Sequence, residues 1–158
     1  MAHTTLRTSY SALTERFNLF PQGAPPSDLL FNILSMLFSE EEAGLVSLMP
    51  IKPFTAEKAS RIWKKSLSET QKILDALADR AILVDFEQNG KAVYALPPPM
   101  AGFFEFSLMR VRDDIDQKVL SELFHEYMNV EEDFIRQLFT RGETQLGRTF
   151  VHEPALSD

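Results

Sequence analysis

Residues 53 to 96 read PFTAEKASRIWKKSLSETQKILDALADRAILVDFEQNGKAVYAL, and this stretch decides the fold. Thr55 can cap a first helix that runs to about Lys65. Ser66-Leu67-Ser68-Glu69 has the form of a capping box, which starts a second helix. In that second helix the inward-facing residues recur at helical spacing: Leu67, Thr70, Ile73, Leu74 and Leu77. The stretch therefore predicts two helices joined by a tight turn.

A β-hairpin follows the second helix. The residues Ala81-Ile82-Leu83-Val84 are typical of a strand, and Gln88-Asn89-Gly90-Lys91 is a strong two-residue hairpin signal because Asn and Gly tolerate positive φ. With Asn89-Gly90 as the loop, Phe86 faces Val93 and Val84 faces Ala95, on what we expect to be the buried side. The order of these elements predicts a winged helix-turn-helix.

The rest of the chain is predicted to be helical, which gives a mainly α fold with a small β-hairpin. We expect an N-terminal helix and turn over residues 1–26, a winged-helix core over 27–99, and an aromatic segment with C-terminal helices over 100–158. Ser39-Glu40-Glu41-Glu42 forms another capping box. The apolar residues that predict a last helix are Val130, Phe134, Ile135, Leu138 and Phe139.

The segment after residue 100 is unusually aromatic. We expect most of its aromatic side chains to pack in the core and a subset to form an interface with a partner or a second copy. The candidate interface residues are Phe103, Phe104, Phe106, Met109, Phe124 and Tyr127.

The charge distribution bears on whether the second helix could read DNA. From Ser68 to Asp79 the net charge is −2, whereas DNA binding draws on Lys and Arg. Residues 52 to 91 carry eight basic and six acidic side chains, a net charge of +2. Because the whole chain has a net charge of −7, the residues outside this stretch carry −9. A DNA-binding alternative would place Lys58, Arg61, Lys64 and Lys65 on phosphates, with Gln71, Lys72 and Lys91 near the DNA.

Catalytic and metal chemistry has little support in the sequence. The 158 residues include no cysteine, which excludes disulfides, thiolate metal sites and cysteine nucleophiles. His3, His125 and His152 are far apart and lack metal-ligand spacing. The N-terminus lacks the features of a signal peptide, and the most apolar stretch is too short to span a bilayer. We expect a non-enzymatic, cytoplasmic protein without a bound cofactor.

Four stretches together resemble the N-terminal region of ferredoxin-type iron–sulfur proteins of anaerobic bacteria. They are Phe20 to Pro25, Leu37 to Ala43, Pro53 to Ala56, and Gly102 to Phe106 continuing through Met109-Arg110. The resemblance covers roughly residues 13 to 155. It implies a winged-helix-like region that precedes cysteine-rich segments with four-iron clusters, and an activity in electron transfer. No cluster ligand carries over, because the chain ends at Asp158 without a cysteine. Any cluster would lie beyond that residue.

Two functional classes follow from these observations. The favoured one is a non-catalytic winged-helix domain of such a ferredoxin-type protein, which docks a redox partner or another subunit. The alternative is a DNA-binding winged-helix transcriptional regulator whose C-terminal helices would dimerise it.

Overall fold

A computed structural model describes residues 2–21 and 23–129, which form a mainly helical fold with one two-stranded antiparallel sheet. The helices, in chain order, are α1 (Ala2–Phe17), α2 (Asp28–Leu37), α3 (Glu40–Ser47), α4 (Ala56–Trp63), α5 (Leu67–Asp79), α6 (Glu105–Met109) and α7 (Gln117–Asn129). The strands are β1 (Val84–Gln88) and β2 (Lys91–Ala95), and a π-helical turn (Pro99–Phe104) precedes α6. The predicted helix from Val130 to Phe139 lies outside the described residues.

Serine and threonine side chains cap α3, α4 and α5 as the sequence predicts. The Ser39 hydroxyl accepts a hydrogen bond from the Glu42 amide, and the Glu42 carboxylate accepts one from the Ser39 amide, so this capping box is confirmed. At Ser66 only half of the predicted box forms. The Ser66 hydroxyl caps the Glu69 amide at 3.2 Å, but the Glu69 carboxylate bonds to Lys65 instead.

The turn between α4 and α5 is tighter than predicted. Helix α4 ends at Trp63 rather than near Lys65, because Lys64 takes a left-handed conformation with φ of 55°. The Lys65 amide donates to the Ser60 carbonyl, and the Ser60 hydroxyl donates to the Lys65 carbonyl. These two bonds close the turn. Helix α5 starts immediately afterwards, so α4 and α5 form a compact helix–turn–helix pair.

The hairpin has the predicted register. Phe86 pairs with Val93 and Val84 with Ala95, around a turn in which Asn89 and Gly90 have φ of 55° and 74°. The prediction that this side is buried is wrong for β1, because Val84 is 36% exposed and Phe86 is 40% exposed. Strand β1 is the outer strand of the sheet, and on this face its side chains are more exposed than that of Val93 on β2, which is 5% exposed.

A short bridge ties the hairpin back to the residues before α4. The Tyr94 amide donates to the Phe54 carbonyl at 2.8 Å, and the Phe54 amide donates to the Tyr94 carbonyl at 2.9 Å. Strand β2 therefore has β1 on one side and Phe54 on the other. This places the hairpin against the start of α4.

One hydrophobic core connects all three predicted segments of the chain. It draws on Leu13 and Phe17 of α1, on Leu34 of α2, and on Phe124 and Tyr127 of α7. The Tyr127 hydroxyl donates to the Pro25 carbonyl at 2.8 Å, which fixes α7 against the turn before α2. Asp116, which directly precedes α7, caps the helix by accepting hydrogen bonds from the Lys118 and Val119 amides.

Candidate interaction surface

Four of the six predicted interface residues lie in the core instead. Phe103 and Tyr127 are 0% exposed, and Phe104 and Phe124 are 3% and 1% exposed. The Phe104 ring packs edge-on against Phe124 at a centroid distance of 4.8 Å, and Phe103 stacks on Phe38 at 5.6 Å. These rings pack the π-helical turn and α7 into the core, so they are not accessible to a partner in the described structure.

The other two predicted interface residues retain some access to solvent. Met109, at the end of α6, is 71% exposed, and Phe106 is half-buried. Val111, just beyond α6, is 84% exposed. The sequence could not separate these residues from the buried ones, because aromatic spacing alone does not show which face of a short helix is covered.

Gln71, the predicted base-reading side chain on α5, is engaged within the protein. Its amide nitrogen donates to the Asp75 carboxylate at 2.8 Å and also to the Tyr94 hydroxyl. The Tyr94 hydroxyl in turn donates to the same Asp75 oxygen at 2.7 Å. Burial, followed by the Asp75 hydrogen bond, raises the pKa of Tyr94 to about 12. This network joins α5 to β2 and uses the donors that base reading would require.

Lys65, a predicted phosphate contact, is also engaged. Its ammonium group lies 2.7 Å from the Glu69 carboxylate and 3.3 Å from the Glu41 carboxylate. The hydrogen bond to Glu69, and then the one to Glu41, raises the pKa of Lys65. Its charge is therefore balanced by two carboxylates, which leaves little of it for a phosphate.

The remaining predicted DNA contacts are at the surface but are not gathered on one reading helix. Lys58, Arg61 and Lys64 are exposed on α4 and at its end, Lys72 is exposed on α5, and Lys91 starts β2. The Arg61 Nε donates to the Glu57 carbonyl at 3.2 Å. The pKa of Glu57 is lowered, chiefly by the Thr55 hydroxyl and also by the charges of Lys91 and Arg61. Lys91 and Arg61 therefore both lie near the Glu57 carboxylate.

The outward side of α5 is acidic. Glu69, Asp75 and Asp79 are exposed there, with Lys72 as the one basic residue among them, and their spacing places all four on one side of the helix. We call Glu69, Asp75 and Asp79 the acidic face of α5. Glu69 is paired with Lys65, but Asp75 and Asp79 still outnumber Lys72 on this side, so the net negative charge opposes the phosphates that a reading helix must approach.

The exposed strand β1 adds carboxylates next to apolar side chains. Asp85 and Glu87 are exposed, and they alternate with Val84 and Phe86. The sequence suggested a hairpin with one buried face, so it did not identify β1 as an exposed surface. The alternation of charge in VDFEQ was the available signal.

The described residues contain neither a group of metal-binding side chains nor a membrane-spanning helix. Within residues 2–21 and 23–129, no three side chains of His, Asp or Glu are grouped so as to hold a metal ion. In the same part of the chain no helix has the length and apolar character needed to cross a bilayer. His125, which the sequence does not predict to be a metal ligand, is exposed on α7.

No protein family, no curated protein and no solved structure matches this chain.

Proposed function

We propose that this chain is a non-catalytic winged-helix domain that binds a protein partner. The order of α3, the Phe54 bridge, α4, α5 and the hairpin supports the winged-helix assignment. In such an arrangement α5 occupies the position of a DNA-reading helix. What that helix presents therefore bears most directly on the function.

The observation that carries the proposal is the state of the polar groups on α5 and beside it. Gln71 is bonded to Asp75 and Tyr94, and Lys65 is bonded to Glu41 and Glu69. Freeing these two side chains for DNA would break contacts that hold α5 to its neighbours. DNA would have to replace those contacts while approaching the acidic face of α5.

One observation keeps DNA binding as the second candidate. Lys58, Arg61 and Lys64 form an exposed basic group on α4 and its C-terminal end, and phosphates could contact this group. Three cations give only a weak, salt-sensitive attraction. A DNA-binding transcriptional regulator of this kind would therefore act as a dimer, which doubles the number of contacts with phosphates.

The link to ferredoxin-type electron-transfer proteins rests on the sequence resemblance. The proposed role within such a protein is to dock a redox partner or another subunit, and the domain itself would carry no cluster. Sequencing the gene beyond the codon for Asp158 tests this link. Closely spaced cysteine codons are expected there, and their absence would remove the electron-transfer part of the proposal while leaving the interaction domain in place.

Two binding measurements on the same protein test the proposal. Fluorescence anisotropy with a labelled random DNA duplex at low salt should show no binding. Affinity capture from the source cells should retain a protein partner, and Asp79→Lys on the acidic face of α5 should weaken that capture. The matched control is Glu126→Lys, which makes the same charge change on exposed α7. Saturable DNA binding combined with no charge-sensitive partner would contradict the proposal.

A further inference from the structure

The outer edge of β1 has free backbone groups, as the hairpin geometry requires. Around a two-residue loop the pair Gln88–Lys91 is hydrogen bonded, and bonded pairs then alternate along the ladder. Phe86–Val93 and Val84–Ala95 are therefore bonded pairs, whereas the amides and carbonyls of Asp85 and Glu87 point away from β2. The Tyr94–Phe54 bonds agree with this alternation, because Tyr94, the partner of Asp85, directs its own backbone groups away from β1.

This edge is unoccupied among residues 2–21 and 23–129. All five residues of β1 are exposed, and no backbone or side-chain group of the described structure bonds to the outward groups of Asp85 and Glu87. An exposed strand edge of this kind can accept another strand by backbone hydrogen bonding. The side chains along the edge then decide which strand fits.

A second copy of this chain fits the edge poorly. If two copies of β1 paired antiparallel through their outward groups, Asp85 and Glu87 of one copy would lie directly opposite Glu87 and Asp85 of the other. Like charges opposite each other in a ladder are destabilising. The chain also carries a net charge of −7, which adds a longer-range repulsion between copies.

We propose that β1 accepts an extended segment of a partner protein in which basic and apolar residues alternate. The partner's basic residues would lie opposite Asp85 and Glu87, on one face of the extended sheet. The residue between them would contact Phe86, which is 40% exposed on the other face. The minimal pattern is thus basic–apolar–basic. This inference rests on the proposed interaction function and names the class of partner segment.

A synthetic peptide tests the inference directly. The probe is an acetylated and amidated peptide in which Lys and Ile alternate, and the control peptide has the same composition with the Lys and Ile residues in separate blocks. Both carry the same charge, but only the first places its charges on one face of a strand. The alternating peptide should bind the full chain about tenfold more tightly.

Hydrogen exchange provides a readout that simple charge attraction would not give. In the free protein the Asp85 and Glu87 amides should exchange rapidly, because they point to solvent. The bound alternating peptide should slow the exchange of these two amides, while the already bonded Phe86 amide changes little. Binding of both peptides with equal affinity, binding without protection of these amides, or no binding of either peptide would overturn the inference.

Two variants complete the test. Glu87→Pro removes the outward amide and the carboxylate but no amide that bonds to β2, so it should spare the hairpin and weaken the alternating peptide about tenfold. Glu87→Lys should weaken the same peptide about fivefold, and Glu126→Lys should not. Glu87→Lys keeps the test valid if the proline variant is unstable. A natural partner that both Glu87 variants still capture fully would overturn this inference, yet leave the broader interaction function standing.

Discussion

Removing one hydroxyl group should weaken the attachment of α5 to the hairpin. Tyr94 is 2% exposed, and its hydroxyl donates to Asp75 and accepts from Gln71. In Tyr94→Phe both bonds are lost while the ring and its packing remain. A hydrogen bond to a charged group contributes about 1.5–3 kcal/mol, but water can reach the exposed Asp75 carboxylate and compensate part of the loss. We expect the free energy of unfolding to fall by about 1–2 kcal/mol.

Urea denaturation followed by the fluorescence of Trp63 measures this change. Trp63 is the only tryptophan, and it is 7% exposed, so its emission reports global unfolding. In thermal unfolding the same loss corresponds to a decrease in Tm of about 3–6 °C for a domain of this size. The substitution hardly changes the surface area that unfolding exposes. The urea m-value should therefore stay unchanged.

A double-mutant cycle separates the network from other effects of the substitution. Tyr94→Phe combined with Asp75→Ala should give a coupling energy of about 1 kcal/mol. Asp79→Ala is the matched control one turn further along α5, and it should couple to Tyr94→Phe by less than about 0.3 kcal/mol. A coupling for Asp75 as small as that for Asp79 would refute the reasoning, because the hydroxyl would then not bind the carboxylate.

The pH dependence gives an independent check on the same network. The pKa of Tyr94 is raised from 10.0 to about 12, so the folded state favours the neutral phenol. Its contribution to stability is complete below pH 10 and is lost as the pH rises from 10 to 12. Tyr94→Phe should therefore lose less stability than the wild type over this interval.

Three further substitutions test other parts of the structure. Gly90→Ala should lower the free energy of unfolding by about 1 kcal/mol, because φ at this position is 74°, where a side chain is strained. Gly23→Ala should cost about 1–3 kcal/mol, since the added Cβ would overlap the Asn18 side chain that bonds both ways to Ala24; an unchanged urea midpoint would contradict this packing. The Arg112 side chain lowers the pKa of Asp114 from 3.8 to about 2, so its stabilising contribution is present above pH 3.8 and is lost as the pH falls toward 2. The difference in stability between the wild type and Asp114→Asn should shrink over that same interval.

Local signals in the sequence were sufficient to predict α3, α4, α5 and the hairpin, but not the π-helical turn or α6. Ser39 and Ser66 cap helices through groups three residues away, and Asn89-Gly90 sets the register through its own backbone preference. Each of these features depends on residues close together in the chain. They could therefore be predicted without knowledge of the tertiary structure.

Contacts between distant residues limited the prediction of the functional surface. Gln71 had the right chemistry to read DNA, but Tyr94, 23 residues away, binds it once β2 packs beside α5. Lys65 had the right charge, but Glu41 on α3 helps to neutralise it. Phe104 and Tyr127 had the aromatic character of an interface, but their edge-on contact lies inside the domain. In each case the partner is fixed by packing that residue spacing does not reveal.

Photo-crosslinking from the centre of α5 tests the central claim most directly. A benzoyl-phenylalanine placed at the exposed position of Lys72 should form adducts in the source cells with whatever contacts this surface. We predict a protein adduct that resists nuclease and is weakened by Asp79→Lys but not by Glu126→Lys. An adduct that nuclease removes, formed equally with all these variants, would contradict the account and identify α5 as a DNA-contacting helix.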